Sequence, residues 1–380
     1  MRQIFLFLTL LPLAFAAELK QIAPSNGPKP IGPYSPGVDA GAYVYVSGQG
    51  ARTPDGKMPA DITAQTRQCL ENVKAIVEAG GLTMRHVVYS QVYLADSQNF
   101  DAFEKVWREY FPTDEPARAV LGVHRMPTET PVEISAVAVR DITKKSIAAG
   151  GVTSGERFFV SGVYGSSVAE AMTQFAKSLK SAGLGLEHLA FVNVYLDASI
   201  THQDMNAVYT KSFEKGNAPA RATITVAHLP KGAKVELTGV AVTDLRNRKV
   251  VRPRNVQPTA NNSPCVWAGE TLYCSGKTAS MPGPNGGIWG ETIENQVRQT
   301  FRNLLDGLEE ASIDFSHVVA SNVYLDQLEE FARMNGVYAK YFGATPPTRT
   351  TVQPMPAVER KANAGGLWPM LDEISIVAVK

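Results

Sequence analysis

Two residue types that can act together on a small carboxylic acid recur three times in this 380-residue chain. An arginine follows a Pro-Ala or Pro-Thr pair, and a single glutamate later interrupts an alternating apolar stretch. A guanidinium binds a carboxylate through two parallel hydrogen bonds, and a positioned carboxylate can orient water for attack on carbon. An Arg and a Glu on neighbouring strands can equally form a structural ion pair, but recurrence in three places favours a site. The arginines are Arg118, Arg221 and Arg349, and the glutamates are Glu133, Glu236 and Glu373.

These residues belong to a longer repeat, which sets the organisation of the chain. A Ser-Gly pair recurs every 114 residues, and a Val-Tyr-Leu phrase recurs once after each pair. Short polar segments separate the repeats. The serines of the pairs are Ser47, Ser161 and Ser275. We therefore predict a signal segment followed by three units, named units 1, 2 and 3, which span residues 18–143, 144–246 and 247–380.

The elements that position these residues can be read within unit 1. Apolar residues at helical spacing predict a helix over Thr63–Ala79 and another over Phe100–Tyr110. β-branched and aromatic residues predict a strand over Val87–Leu94 between the helices. The order ββαβαββ predicts an α+β unit, a mixed sheet with helices on one face. The other face must be buried elsewhere, and two more copies of the same sheet would bury it.

Composition excludes some classes of function. Hydrophobic residues make up 44% of the chain and charged residues 19%, which is ordinary globular composition. The net charge is only +1, whereas phosphate binding depends on clustered positive charge. We therefore expect no nucleic-acid partner.

The N-terminus has the pattern of a secretory signal peptide. Arg2 precedes an apolar run from Ile4 to Leu13, and Ala14-Phe15-Ala16 follows as a small-residue cleavage site. We expect residues 1–17 to be removed and the protein to be exported, either to a periplasm or out of the cell. No later segment is long and apolar enough for a membrane helix, so we expect no membrane association after cleavage.

The cysteines leave two alternatives open. Cys265 and Cys274 flank a predicted hairpin with Gly269-Glu270 as its two-residue turn, which would place them opposite each other. A cross-strand disulfide would then form in an oxidising compartment, whereas a register slip of one residue would leave two free thiols. No metal-ligand spacing, Walker loop or dinucleotide fingerprint occurs, so no metal and no cofactor are expected.

The repeated motifs resemble those of the RidA family, also called the YjgF-type imine deaminases. The resemblance covers nearly all of the chain after the predicted signal peptide, and the combined motifs are specific although each alone is weak. In unit 1 the motifs are Ile31-Gly32-Pro33-Tyr34, Ser47-Gly48-Gln49 and Pro116-Ala117-Arg118. In units 2 and 3 they are Met205-Asn206-Ala207-Val208-Tyr209, Pro219-Ala220-Arg221-Ala222-Thr223, Met334-Asn335-Gly336-Val337-Tyr338 and Pro347-Thr348-Arg349-Thr350-Thr351.

This resemblance implies both a fold and an activity. Family members are usually single units with a chorismate-mutase-like fold that form trimers, with sheets around a central barrel and helices outside. Three tandem units imply that one monomeric chain builds the ring as a pseudo-trimer, with ligand clefts between units. The implied activity is cofactor-independent hydrolysis of small 2-imino or enamine acids to 2-keto acids and ammonia. The arginines would hold the substrate carboxylate and the glutamates would orient water.

The other positions implied by the resemblance are unevenly kept among the units. Only unit 1 has the tyrosine, Tyr34, whereas only units 2 and 3 have the helix asparagine and the threonine after the arginine. We therefore expect Tyr34 to complete a cleft whose arginine is Arg221 or Arg349, so that at most one cleft is fully equipped. The other implied ligand-binding residues are Ser47, Ser161, Ser275, Asn206, Asn335, Thr223 and Thr351, and the departures are Ala148, Asn262, Glu104 and Val120.

Two functions from different classes remain open at this level. One is an exported deaminase, which the recurring Arg–Glu pairs favour. The other is a protein on the same fold that binds small carboxylates without turning them over, or a scaffold, which the missing Tyr and Asn positions favour.

Overall fold

A computed structural model describes residues 18–283 and 289–380, so the predicted signal peptide lies outside the described residues. Each repeat forms a separate six-stranded sheet with two helices, which confirms the α+β fold class and the three tandem units. The elements predicted for unit 1 agree closely with those observed. Unit 1 contains β1 (Lys20–Ile22), β2 (Gly37–Asp39), β3 (Tyr43–Gly50), α1 (Ile62–Ala79), β4 (Val87–Leu94), α2 (Phe100–Tyr110), β5 (Ala117–Gly122) and β6 (Val132–Val139).

Units 2 and 3 repeat this order of elements. Unit 2 contains β7 (Lys145–Ala148), β8 (Gly151–Ser154), β9 (Arg157–Gly165), α3 (Val168–Ser181), β10 (Leu189–Asp197), α4 (His202–Tyr209), β11 (Ala220–Val226) and β12 (Val235–Val242). Unit 3 contains β13 (Arg248–Val251), β14 (Cys265–Ala268), β15 (Thr271–Lys277), α5 (Ile293–Glu310), β16 (Val318–Leu325), α6 (Phe331–Tyr338), β17 (Thr348–Val352) and β18 (Asp372–Val379).

Each sheet is mixed, and it has one strand more than the sequence predicts. In unit 1 the strand order is β1-β2-β3-β6-β4-β5, in which only β4 and β5 run parallel. The additional strands β1, β7 and β13 have three or four residues and are mostly exposed or half-buried. Such short edge strands carry little of the apolar alternation by which strands are recognised.

The helices cover one face of each sheet, and the other faces of all three sheets share one apolar core. In unit 1, Asp61 caps α1 by accepting a hydrogen bond from the Ala64 N–H (2.9 Å), and Gly81, at φ +77°, follows the helix end. Leu70, Val73 and Val77 of α1 face the sheet, as the helical spacing predicts. The core shared by the three sheets includes Tyr45, Val88, Phe159, Phe191, Val240, Tyr273, Val319 and Val379.

The units contact one another in a closed cycle. Strand β5 of unit 1 lies against β9 of unit 2, β11 of unit 2 against β15 of unit 3, and β17 of unit 3 against β3 of unit 1. The tyrosines of the three Val-Tyr-Leu phrases meet in a second shared apolar cluster. The open sheet face of each unit is therefore buried by its two neighbours. These tyrosines are Tyr93, Tyr195 and Tyr324.

The hairpin of unit 3 has the register that the sequence predicts. Ala268 pairs with Thr271 around the turn Gly269-Glu270, and Gly269 takes the positive φ of +62° that this turn requires. Cys265 therefore pairs with Cys274 at a Cα–Cα distance of 4.0 Å, and the two form a disulfide. Of the two alternatives, the structure has the bridge, and Cys69 is buried and free. Over the described ranges, no helix has the length and apolar character needed to cross a bilayer.

Candidate active site

A β-bulge at each Ser-Gly pair brings the repeated glutamate over the neighbouring strand. The register between β3 and β6 shifts between Val46 and Gln49, and the equivalent strands of units 2 and 3 shift at the same place. A Cβ atom on the glycine would overlap a carboxylate oxygen of the glutamate in every unit. The sequence motif drew attention to the serine of each pair, and this role of the glycine was not predicted, although the glycine recurs in all three units. The glycines are Gly48, Gly162 and Gly276, opposite Glu133, Glu236 and Glu373.

Burial raises the pKa of all three repeated glutamates, so that each is a weaker acid than an exposed glutamate. Burial raises the pKa of Glu133 to about 8 against the opposing effect of Arg349. It raises the pKa of Glu373 to about 8 as well, although the Thr223 backbone N–H and Arg221 favour the ionised form. Burial also raises the pKa of Glu236 well above its ordinary value. A cationic ligand beside such a group would favour its ionised form.

Cleft A lies between units 3 and 1 and joins Arg349 to Tyr34 and Glu133. These three residues line one cavity of about 100 Å³, well above the roughly 10–15 Å³ that one water molecule occupies. Of the two alternatives for Tyr34, the structure therefore pairs it with Arg349. Both terminal nitrogens of the Arg349 guanidinium are buried and have no hydrogen-bond partner among the described residues, and the same holds for Asn335 Oδ1 and Thr351 Oγ1. These donors and acceptors are free of protein partners and can bind a polar ligand or water.

The Ser47 hydroxyl fixes the backbone of Arg349 across the unit boundary. It donates a hydrogen bond to Ser35 O (2.6 Å) and accepts one from Arg349 N (2.9 Å). The Ser35 hydroxyl in turn donates to Pro346 O (2.6 Å), and Ser35 N donates to Pro347 O (3.1 Å). We call these hydrogen bonds, which connect Ser47, Ser35, Arg349 and Pro346-Pro347, the frame of the cleft. The hydroxyl proton of Ser47 takes part in this frame and is not directed at a ligand.

Aromatic rings and a glycine shape the wall of cleft A. The guanidinium carbon of Arg349 lies 5.1 Å from the ring centre of Tyr34, 5.3 Å from that of Phe331 and 4.7 Å from that of Tyr338. A Cβ atom on Gly32 would come within 2.6 Å of Arg349 Nη2, so a side chain there would displace the guanidinium. The role of Phe331 was not predicted from the sequence, because a single aromatic residue at a helix start carries no signal of its own.

Cleft B lies between units 2 and 3 and joins Arg221 to Glu373 and Ser275. Arg221 N donates to Ser275 Oγ (2.8 Å). Asn206 Oδ1 and Thr223 Oγ1 are buried, and no described residue forms a hydrogen bond with them. Asn262 occupies the position of Tyr34, and its Nδ2 donates to Ser275 Oγ (3.0 Å).

Cleft C lies between units 1 and 2, and a protein carboxylate occupies its arginine. Arg118 Nη2 lies 2.6 Å from Glu104 Oε1, and Arg118 Nε lies 3.3 Å from Glu115 Oε1. Ser161 and Gly162 line the same cleft, and Glu236 accepts a hydrogen bond from Val120 N (3.3 Å). No three His, Cys, Asp or Glu side chains gather as a metal site in the part of the chain that the structure describes.

Comparison with known proteins gives the family of the chain. The Endoribonuclease L-PSP family profile matches three times, over residues 24–140, 147–243 and 253–362. The chain therefore belongs to this family, and each predicted repeat contains one match. Among curated relatives, the 2-iminobutanoate/2-iminopropanoate deaminase of Escherichia coli K12 is 42% identical over 125 residues, which cover 32% of this chain and 98% of that protein.

Other relatives also correspond to a single unit. A RutC family protein of Pyrococcus horikoshii is 42% identical over 118 residues, which cover 30% of this chain and 94% of the relative. The crystal structure of the YjgF gene product of E. coli is 42% identical with a TM-score of 0.31, and the match covers 32% of this chain and 99% of that one. The family profile and the curated deaminase relative confirm the resemblance to RidA-type proteins.

Proposed function

We propose that this protein hydrolyses small 2-imino or enamine acids to 2-keto acids and ammonia, and that cleft A is its working site. The observation that carries the proposal is the buried guanidinium of Arg349, whose two terminal nitrogens have no hydrogen-bond partner within residues 18–283 and 289–380. It lines a cavity that Glu133 also lines. A 2-imino acid supplies what this cavity lacks, a carboxylate with an electrophilic C=N carbon beside it. The names of the curated relatives support the same chemistry.

Each residue has a distinct role in the proposed reaction. Arg349 holds the substrate carboxylate through two parallel hydrogen bonds, with Thr351 and Asn335 as further polar contacts. The positive charge of the protonated imine favours ionised Glu133, which then orients a water molecule and takes its proton. The water oxygen bonds to the imine carbon and gives a carbinolamine. Glu133 then returns the proton to the amine nitrogen. The C–N bond breaks, ammonia leaves with the electron pair of that bond, and the hydroxyl group loses its proton to Glu133 as the C=O bond forms. Tyr34 and Phe331 exclude bulk water from the guanidinium. No cofactor enters this sequence.

We assign different roles to the repeated serines and to cleft C. Ser47 and Ser275 act as positioning residues, because their hydroxyls fix the backbone of Arg349 and Arg221. Cleft C binds no substrate carboxylate, because Glu104 already neutralises Arg118. The chain acts as a monomeric pseudo-trimer, in which cleft A joins the first and last units.

Export is a further part of the proposal. The disulfide between Cys265 and Cys274 supports it, because disulfides persist in oxidising compartments. Detection of the mature chain in a periplasmic or culture fraction, beginning near residue 18, would test it.

The test of the activity is keto-acid formation from 2-iminobutanoate. The imine is generated in situ by an amino-acid oxidase, with semicarbazide as the competing trap. The wild-type protein should accelerate 2-oxobutanoate formation over the uncatalysed rate, and Glu133→Gln should remove most of that acceleration. No acceleration by the folded wild-type protein would overturn the proposal and favour a protein that only binds carboxylates.

A further inference from the structure

The frame of cleft B repeats that of cleft A bond for bond. The hydroxyl of Ser263 donates to Ala218 O (2.6 Å), as that of Ser35 donates to Pro346 O (2.6 Å). Ser275 Oγ donates to Ser263 O (2.7 Å), and the Arg221 guanidinium carbon lies 4.8 Å from the Tyr209 ring centre. The guanidinium of Arg221 is therefore held in cleft B in the same way as that of Arg349 in cleft A.

Cleft B also contains polar atoms that are free of protein partners. Asn206 Oδ1 and Thr223 Oγ1 are buried without hydrogen-bond partners in the described part of the chain, as are the equivalent atoms of Asn335 and Thr351. The Arg221 guanidinium contacts the sulfur of Met205, which lies 3.9 Å from Nη1. Glu373 stands over Gly276 as Glu133 stands over Gly48. Cleft B is thus built for a small carboxylate as well.

The two clefts differ where the rest of the ligand would lie. Aligning α4 with α6 by their Met-Asn-x-Val-Tyr segments places His202 at the position of Phe331. Asn262 stands at the position of Tyr34. His202 lies close enough to Arg221 for that charge to act on it. Two aromatic side chains of cleft A are therefore replaced in cleft B by the Asn262 amide and by the exposed imidazole of His202, both of which can form hydrogen bonds.

We propose, on the basis of the proposed function, that cleft B is a second carboxylate site selective for 2-imino or 2-keto acids with polar side chains, whereas cleft A takes apolar ones. An aromatic wall favours burial of an apolar side chain. A wall of amide and imidazole groups can form hydrogen bonds with a polar ligand side chain, whereas it provides no aromatic surface against which an apolar one could be buried. One chain would then bind acids with polar side chains in cleft B and acids with apolar side chains in cleft A.

Stable keto acids separate the two sites without relying on turnover. 2-Oxobutanoate and 3-hydroxypyruvate differ only by a methyl against a hydroxyl group, and calorimetry can measure the binding of each to the full chain. Arg221→Met should weaken the binding of 3-hydroxypyruvate at least about tenfold, because a hydrogen bond to a charged group is lost. The binding of 2-oxobutanoate should stay unchanged. Arg349→Met should do the reverse. Equal weakening of both ligands by either variant would overturn the inference, as would the absence of 3-hydroxypyruvate binding to the wild type.

A gain-of-function pair guards against loss of folding. The double variant His202→Phe with Asn262→Tyr keeps Arg221. It should raise the number of 2-oxobutanoate molecules bound per chain from one to two. A stoichiometry that stays at one with the thermal transition retained would overturn the assignment of these two residues. Separate binding of the two acids without imine hydrolysis would overturn the deaminase proposal and leave this inference standing, so the two failures can be told apart.

Discussion

Glu104 Oε1 lies 2.6 Å from Arg118 Nη2, so cleft C already contains a carboxylate that belongs to the protein. The equivalent helix position is Asn206 in cleft B and Asn335 in cleft A, where the arginine has no carboxylate partner among the described residues. One side chain that differs between repeats thus fills the place where the other clefts would receive a ligand.

Replacing Glu104 by Asn should make Arg118 available. Glu115 then remains as a partner, but its side chain is 49% exposed and its ion pair is correspondingly weak. Glu104→Asn should therefore add one weak binding site for 2-oxobutanoate per chain in calorimetry. Glu109→Asn is the matched control, because Glu109 lies on the same helix and pairs with Arg67. Unchanged stoichiometry in Glu104→Asn would show that Glu104 does not block the cleft.

Gly48 should tolerate no side chain, because a Cβ atom there would overlap Glu133. We expect Gly48→Ala to displace Glu133, to abolish most of the hydrolysis and to destabilise the fold by about 1–3 kcal/mol. Gly336→Ala is the control, since no described atom beyond its chain neighbours and the backbone of its own helix lies within 4 Å of a Cβ at that position. Denaturant unfolding and the imine assay on both variants check this. Full activity in Gly48→Ala would contradict the placement of Glu133.

The pKa of Glu133 predicts how stability depends on pH. Its folded value of about 8 exceeds the ordinary value of 4.5, so folding favours the protonated form. The contribution of Glu133 to folding stability is fully present below about pH 4.5. It is lost as pH rises from about 4.5 to about 8, because in this range the glutamate ionises in the unfolded chain but stays protonated in the folded one. The melting temperature of the wild type minus that of Glu133→Gln should therefore fall between about pH 5 and about pH 8.

A second glutamate provides the control for that measurement. Arg67 lowers the pKa of exposed Glu109, so this carboxylate is ionised in both states over most of the same range. The corresponding difference for Glu109→Gln should stay nearly flat. A flat difference for Glu133→Gln as well would mean that Glu133 is not held in its neutral form.

The disulfide can be checked by counting thiols. Three cysteines are present, of which Cys265 and Cys274 are bridged and Cys69 is buried and free. Protein that is denatured without reduction should react with one equivalent of a thiol reagent, and with three after reduction. Three equivalents before reduction, in protein prepared from an oxidising compartment, would contradict the bridge.

Much of this architecture can be predicted from the sequence, because the repeat shows every element three times. Strand β6 over Val132–Val139 and the hairpin of unit 3 follow from alternation and turn residues alone. The edge strand β1 could not be predicted, because three mostly exposed residues carry no pattern.

The clefts are harder to predict, because each combines distant parts of the chain. Arg349 meets Ser47 across 302 positions, and only the closed cycle of units fixes that Tyr34 faces Arg349 rather than Arg221. The pairing of Glu104 with Arg118 could not be predicted from the sequence either. The sequence shows that an asparagine is missing there, but not that its replacement contacts the arginine.

The most direct test of the central claim compares two arginines at equivalent positions of the repeat. Arg349→Met and Arg118→Met are assayed for 2-oxobutanoate formation from 2-iminobutanoate, with circular dichroism to confirm folding. Arg349→Met should lose about 100-fold or more of the catalysed rate, because two charged hydrogen bonds to the substrate carboxylate are removed. Arg118→Met should remain close to the wild type. An equal loss in the two variants, or an unimpaired Arg349→Met, would contradict the assignment of cleft A as the working site.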